Sequence, residues 1–259
     1  MNAGTPKISV RGLKKSFGAK EVLRGVDLDV AAGQSLVIIG GSGTGKSVLL
    51  RCILGLMQPD AGEIMIDGVN ILKLSSFERA RKTRQIGMLF QGSALFDSLK
   101  VWENVSFRLV HGEGKPHAAS KKTAIERLAQ VGLPAEVSML SPSELSGGMQ
   151  KRVALARAIA ADPDILFFDE PTTGLDPITA DVINRLIVDR VKAVGATAIS
   201  ITHDMISARR IADEIAMIHQ GRIVWRGPAA AINDSGNPYV DQFVNGRAEG
   251  PIKMALKDS

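Results

Sequence analysis

The chain has 259 residues, 45% hydrophobic and 23% charged, with a net charge of +5 and one cysteine. This composition excludes a disordered chain, and apolar runs such as residues 36–39 and 165–168 fall far short of the roughly 18 to 20 residues of a membrane span. The single Cys52 excludes an intrachain disulfide and reads as a small buried hydrophobe, while the modest basic surplus does not choose among nucleic acid, membrane surface and nucleotide.

The N-terminal residues 1–7 lack the apolar core of a secretory signal, which predicts a cytosolic protein. Residues 8–14 alternate as an edge strand, residues 16–20 turn, and Val22, Val26, Leu28 and Val30 mark a second strand. Phe17 in that turn fits either a ring stacked on a nucleotide base or an ordinary core residue.

Next comes Gly40-Gly41-Ser42-Gly43-Thr44-Gly45-Lys46-Ser47, which fills every fixed position of the phosphate-binding loop G-x-x-x-x-G-K-[ST]. Its flanks match the required context: residues 36–39 read as a buried strand and residues 48–54 as an apolar helix. Glycines let the loop curl so that backbone N–H groups meet phosphate at a helix N-terminus, Lys46 neutralises phosphate charge and Ser47 offers its hydroxyl to Mg²⁺.

A turn at residues 59–62 leads to a strand at 63–68, and a further strand at 86–90 delivers Gln91 at its carboxyl end. Ligands of open α/β sheets bind beyond such ends, so Gln91 fits a nucleotide contact as well as a solvated position. Arg79, Arg81, Lys82 and Arg84 lack interleaved aromatics and read as a solvated helix face, so no nucleic acid partner is expected.

Residues 92–143 form a separate helical lobe, broken near 112–117, with an amphipathic helix at 121–131. Leu145-Ser146-Gly147-Gly148-Met149-Gln150 then leads into a helix at 151–161, with Ser146 as N-cap. That start is a second potential phosphate site. Residues 165–168 are a buried strand ending in Asp169 and Glu170, residues 181–194 a helix, residues 197–202 a strand ending at His203, and residues 214–226 a hairpin. Residues 246–259 read as a polar tail.

Taken in order, these motifs resemble the ATP-binding cassette (ABC) ATPases from about residue 8 to residue 243. The resemblance implies an α/β P-loop NTPase fold: a RecA-like core (about 1–91 and 160–244), an N-terminal antiparallel β-subdomain, and an inserted α-helical subdomain (about 92–159). The nucleotide-binding domain then spans 1–244, and residues 245–259 form a tail that could contact a second subunit.

The resemblance also implies roles. Phe17 stacks on adenine, Gly40 to Ser47 hold the phosphates, Asp169 holds Mg²⁺ through water beside Ser47 and Gln91, Glu170 is the general base, and His203 contacts the γ-phosphate. Ser146, Gly147, Gly148 and Gln150 of the signature, with Asp176 of the D-loop, contact ATP held by the other chain of a head-to-tail homodimer. The reaction is ATP hydrolysis, with Mg²⁺ as cofactor.

Residues 88–97 and 101–105 are similar to the ATPases of Mla-type phospholipid transporters, which maintain outer-membrane lipid asymmetry and serve mammalian-cell-entry (MCE) proteins. Residues 242–251 resemble that family's C-terminal end, and beyond Pro251 the pattern is lost. The implied partners are an integral membrane permease (MlaE-like) and an MCE-domain protein (MlaD-like), with a small STAS-type regulator (MlaB-like) left open. The implied location is the cytoplasmic face of the inner membrane. Other importer-type ABC ATPases share much of residues 91–105. A non-transport cassette would need a second cassette or a coiled coil, and a P-loop kinase an acceptor lid.

Overall fold

The computed structural model describes residues 5–253, so residues 254–259 of the expected tail, and residues 1–4, lie outside the described residues. Two sheets carry the fold. One is antiparallel, in the order β2 (Lys20–Val30), β1 (Ile8–Phe17), β4 (Ala61–Ile66), β5 (Val69–Asn70). The other runs β10 (Arg222–Pro228), β9 (Glu214–His219), β3 (Ser35–Ile39), β8 (Thr197–Thr202), β7 (Ile165–Asp169), β6 (Ile86–Leu89). The second is parallel except where β10 turns back on β9.

The expected edge strand is corrected: β1 lies between β2 and β4. Its second neighbour arrives from residues 61–66, a non-local pairing that local alternation does not reveal. A register shift between Val10 and Leu13, at Gly12 with φ +55°, also breaks the two-residue period. The strand runs on to Phe17, which pairs with Lys20, so the hairpin turn is only Gly18 and Ala19.

Both faces of the parallel sheet are covered, which is why β3 is buried at all five positions. Leu36, Ile38, Phe167 and Ile199 pack toward α1 (Lys46–Ile53) and the antiparallel sheet. On the other face, Val37, Ile39, Leu166 and Phe168 share one apolar cluster with α3 (Val101–Phe107), α4 (His117–Gln130), α5 (Gly147–Ile159) and α6 (Pro177–Val194). The other α-helices among the described residues are α2 (Ser76–Thr83), α7 (Met205–Ile211) and α8 (Pro238–Val244). Cys52 is fully buried in α1, and burial pushes its thiol up to about 11, in keeping with a structural residue.

Gly87 shows how tightly α5 sits on the sheet. A Cβ at this position would lie 2.1 Å from the Ala158 carbonyl oxygen of α5 and 2.9 Å from Leu166 Cδ2. Gly87→Ala is therefore expected to cost about 2 to 3 kcal/mol through overpacking. Urea unfolding checks it, and an unchanged midpoint would contradict the close approach.

Asp67, at the β4–β5 turn, accepts from Lys7 Nζ and Lys82 Nζ, each at 2.8 Å, and from Gln85 Nε2 at 3.0 Å. Burial alone would raise its pKa, but these donors prevail and bring it from 3.8 to about 2. A depressed carboxylate stabilises the fold above its unfolded pKa and loses that contribution as pH falls from about 4 to about 2. With the side chain 34% exposed, screening leaves about 1 kcal/mol. Asp67→Asn should lose that amount at pH 7 and match the parent near pH 2, as read by denaturant titrations across pH.

Candidate active site

Four strands of the parallel sheet lead into the groups that matter. β3 runs into the phosphate loop, β7 into Asp169 and Glu170, and β8 into His203, with β6 delivering Gln91 at the far side. Gly40 (φ +153°) and Gly45 (φ +107°) bound the loop where a side chain would collide: a Cβ would lie 2.4 Å from the Ile218 carbonyl oxygen and 3.0 Å from the Val22 carbonyl oxygen, respectively. Thr44 Oγ1 donates to the Gly41 carbonyl at 2.9 Å, closing the curl.

Lys46 is 8% exposed, and its Nζ donates to the carbonyls of Gly40 (2.6 Å) and Gly41 (3.0 Å). Burial lowers its pKa, opposed by the charges of Glu170 and Asp169. One ammonium hydrogen remains for a phosphate oxygen.

Glu170 is 8% exposed in left-handed backbone, φ +48°. Its Oε1 lies 2.9 Å from His203 Nδ1, and Oε2 accepts from Thr173 Oγ1 and Thr202 Oγ1, each at 3.2 Å. A carboxylate has about four acceptor sites, so this geometry leaves room for a further donor such as water. Beside it, Asp169 Oδ1 is buried with no hydrogen-bond partner. Burial raises the Asp169 pKa, and the charge of Glu170 adds to the effect.

A cavity of about 720 Å³ brings together Gly41, Ser42, Gly43, Gly45, Lys46, Ser47, Gln91, Glu170 and His203. Lys20, Val22 and Phe243 complete its wall. Phe17 is not part of that wall: it stands half-exposed at the hairpin end, with Lys15 Nζ 5.6 Å from its ring centroid.

The signature residues do not line the cavity either. Ser146, exposed, caps α5 by accepting from Met149 N at 3.3 Å, and Gln150 donates back to the carbonyls of Pro142 (3.1 Å) and Leu145 (3.4 Å). Asp176 caps α6, accepting from the N–H groups of Ile178 and Thr179, each at 3.0 Å. The two helix starts pack together, since a Cβ on Gly148 would lie 2.7 Å from Thr179 Cγ2. One chain therefore carries a cavity at the glycine-rich loop and, apart from it, a capped and exposed helix N-terminus.

A family model described as ABC transporter matches residues 23–173. The chain belongs to the ABC transporter family. This cassette is 40% identical over 248 residues to the probable ribonucleotide transport ATP-binding protein mkl of Mycobacterium leprae, covering 96% of the chain and 71% of that protein. It is 38% identical over 245 residues to the intermembrane phospholipid transport system ATP-binding protein MlaF of Escherichia coli K12, covering 95% and 91%. A solved dimer of the cassette MJ0796 bound to ADP and Pi superposes with a TM-score of 0.79 at 31% identity, over 86% of this chain and 98% of that one.

Several residues of the cassette's site carry no sequence signal of their own. Thr173 and Thr202, which hold Glu170, appear in the sequence as a loop residue and a strand end. Phe243 lies beside the polar tail, and Lys151 is hidden inside the helix that follows the signature. Among the described residues, no helix is long and apolar enough to cross a membrane.

Proposed function

We propose that this cassette is the ATP-hydrolysing subunit of an Mla-type transporter that moves phospholipid between membranes. The carrying observation is the match to MlaF along 91% of that protein, joined to a cavity that gathers the phosphate loop, Gln91, Glu170 and His203. The cassette works as a peripheral subunit on the cytoplasmic face, docked on a permease through residues 94–104. An MCE-domain protein completes the assembly.

In this reading Lys46 and the loop glycines bind the β- and γ-phosphates, and Phe17 or the Lys20, Val22 and Phe243 wall receives the nucleoside end. The donor set fits Mg²⁺: the partnerless buried Asp169 Oδ1, acting through water, with Ser47 and Gln91. The ion would neutralise charge on the phosphates. Glu170 accepts the proton of the attacking water through its free acceptor site, and His203, fixed on Glu170 Oε1, meets the γ-phosphate. Ser146, Gly147, Gly148, Gln150 and Asp176 act on ATP bound by a second copy packed head to tail, which accounts for their separation from the cavity of their own chain.

A second reading comes from mkl, whose name gives ribonucleotide transport. A gentle-detergent pull-down of tagged cassette from native membranes, with mass spectrometry of proteins and lipids, separates the two. Recovery of a permease, an MCE-domain protein and phospholipid supports the proposal. Recovery of a solute permease with a binding protein, or of ribosomes, overturns it.

A further inference from the structure

Lys151 lies five residues beyond Ser146 on α5 and is only 5% exposed. Its Nζ donates to the main-chain carbonyl of Gln91 and, at 3.5 Å, to that of Glu170. These partners are carbonyl oxygens, so the buried cation is held by dipoles and by the nearby charges of Asp169 and Glu170 rather than by a direct ion pair. Burying an ammonium in this way is costly, and a methionine of similar length would bury at lower cost, so simple packing does not explain a lysine here.

The same helix grips the same segment a second time. Arg157 donates from its two terminal nitrogens to the carbonyls of Ser93 and Ala94, each at 2.6 Å. Both carbonyls belong to residues in left-handed backbone, with φ +61° and +47°. Such a conformation persists only where its surroundings enforce it. The 91–94 segment is thus pinned at three carbonyls by two cations of α5, and one of those cations also touches the main chain of Glu170.

We propose that Lys151 is a positioning residue for hydrolysis, tying the main chains of Gln91 and Glu170 to the signature helix so that all three move as one body. A change at the signature end of α5 then reaches the groups beside the γ-phosphate of the chain's own cavity, and through Ala94 the segment assigned to the permease. The inference rests on the hydrolase reading for its kinetic test and on geometry alone for its structural one.

The test compares full-length wild type with K151M and K151R in Mg-ATP turnover, in amide hydrogen exchange and in thermal midpoint. K151M is expected to lose about tenfold or more in kcat, with KM for ATP within about twofold. Amides of residues 91–93 should exchange at least about tenfold faster, with α5 unchanged. K151R, which keeps charge and donors, should hold kcat within about threefold of wild type. K151Q, which removes the charge and shortens the side chain but keeps an amide NH2, carries the same comparison where K151M does not fold. Wild-type kcat and exchange in K151M would overturn the proposal. So would K151M and K151R losing kcat, KM and thermal midpoint alike, since that marks a structural tie. Absence of turnover in the wild type overturns the hydrolase reading instead, and the exchange result still decides the tether.

Discussion

Glu170→Gln is expected to stop turnover while leaving ATP bound. The glutamine keeps the volume and one oxygen acceptor beside His203, Thr173 and Thr202, but it no longer takes a proton from water. Loss of a general base costs about 10²- to 10⁴-fold. In the proposed head-to-tail pair hydrolysis is the step that reopens it, so the variant should accumulate as a dimer in Mg-ATP, read by light scattering after size exclusion. The fold should tolerate the change, since glutamine is isosteric with the glutamate and keeps an oxygen acceptor in the same place. Ordinary turnover in this variant would reject Glu170 as the base.

Lys46→Ala attacks binding instead. Lys46 is the buried cation of the phosphate cavity, already oriented by Gly40 and Gly41, so ATP gains its charge without ordering a flexible side chain. Its removal should cost about 1.5 to 3 kcal/mol of charge-assisted bonding, or roughly 10- to 150-fold in Kd. Equilibrium binding of a fluorescent ATP analogue measures this, with the thermal midpoint as a control for folding. Unchanged affinity would mean that the loop does not hold phosphate. The two variants divide the site: Lys46 governs Kd and Glu170 governs kcat, and a chain in which both lost only affinity would lack the chemistry proposed.

Much of this was legible along the chain because it is local. The phosphate loop needs glycines at Gly40 and Gly45 and a lysine at the mouth of a helix, and those requirements fall within eight consecutive residues. Buried parallel strands announce themselves as short apolar runs, so β3, β7 and the polar groups at their ends were readable. Helix starts leave a weaker apolar signal. Apolar periodicity predicts helices from residues 48, 121 and 181, whereas α1, α4 and α6 begin at Lys46, His117 and Pro177; the start of α5 at Gly147 follows from Ser146 as its cap. In α5 and α6 the first turn is stabilised by the caps Ser146 and Asp176, not by burial, and so leaves no apolar signal.

The sequence by itself determined that a glycine-rich loop of the G-x-x-x-x-G-K-[ST] pattern, two adjacent carboxylates and a histidine each sit at the end of a strand. Only the tertiary structure decided that they meet. The strand order places β8 between β3 and β7, so Glu170 and His203, 33 positions apart in the chain, close a 2.9 Å contact beside Lys46. It also decided that β1 is an inner strand, that Phe243 walls the cavity, and that Lys151 reaches two carbonyls it could not be assigned from its place in a helix. Each of these is a non-local pairing, set by which buried surfaces fit together, and no periodicity within one segment encodes its distant partner.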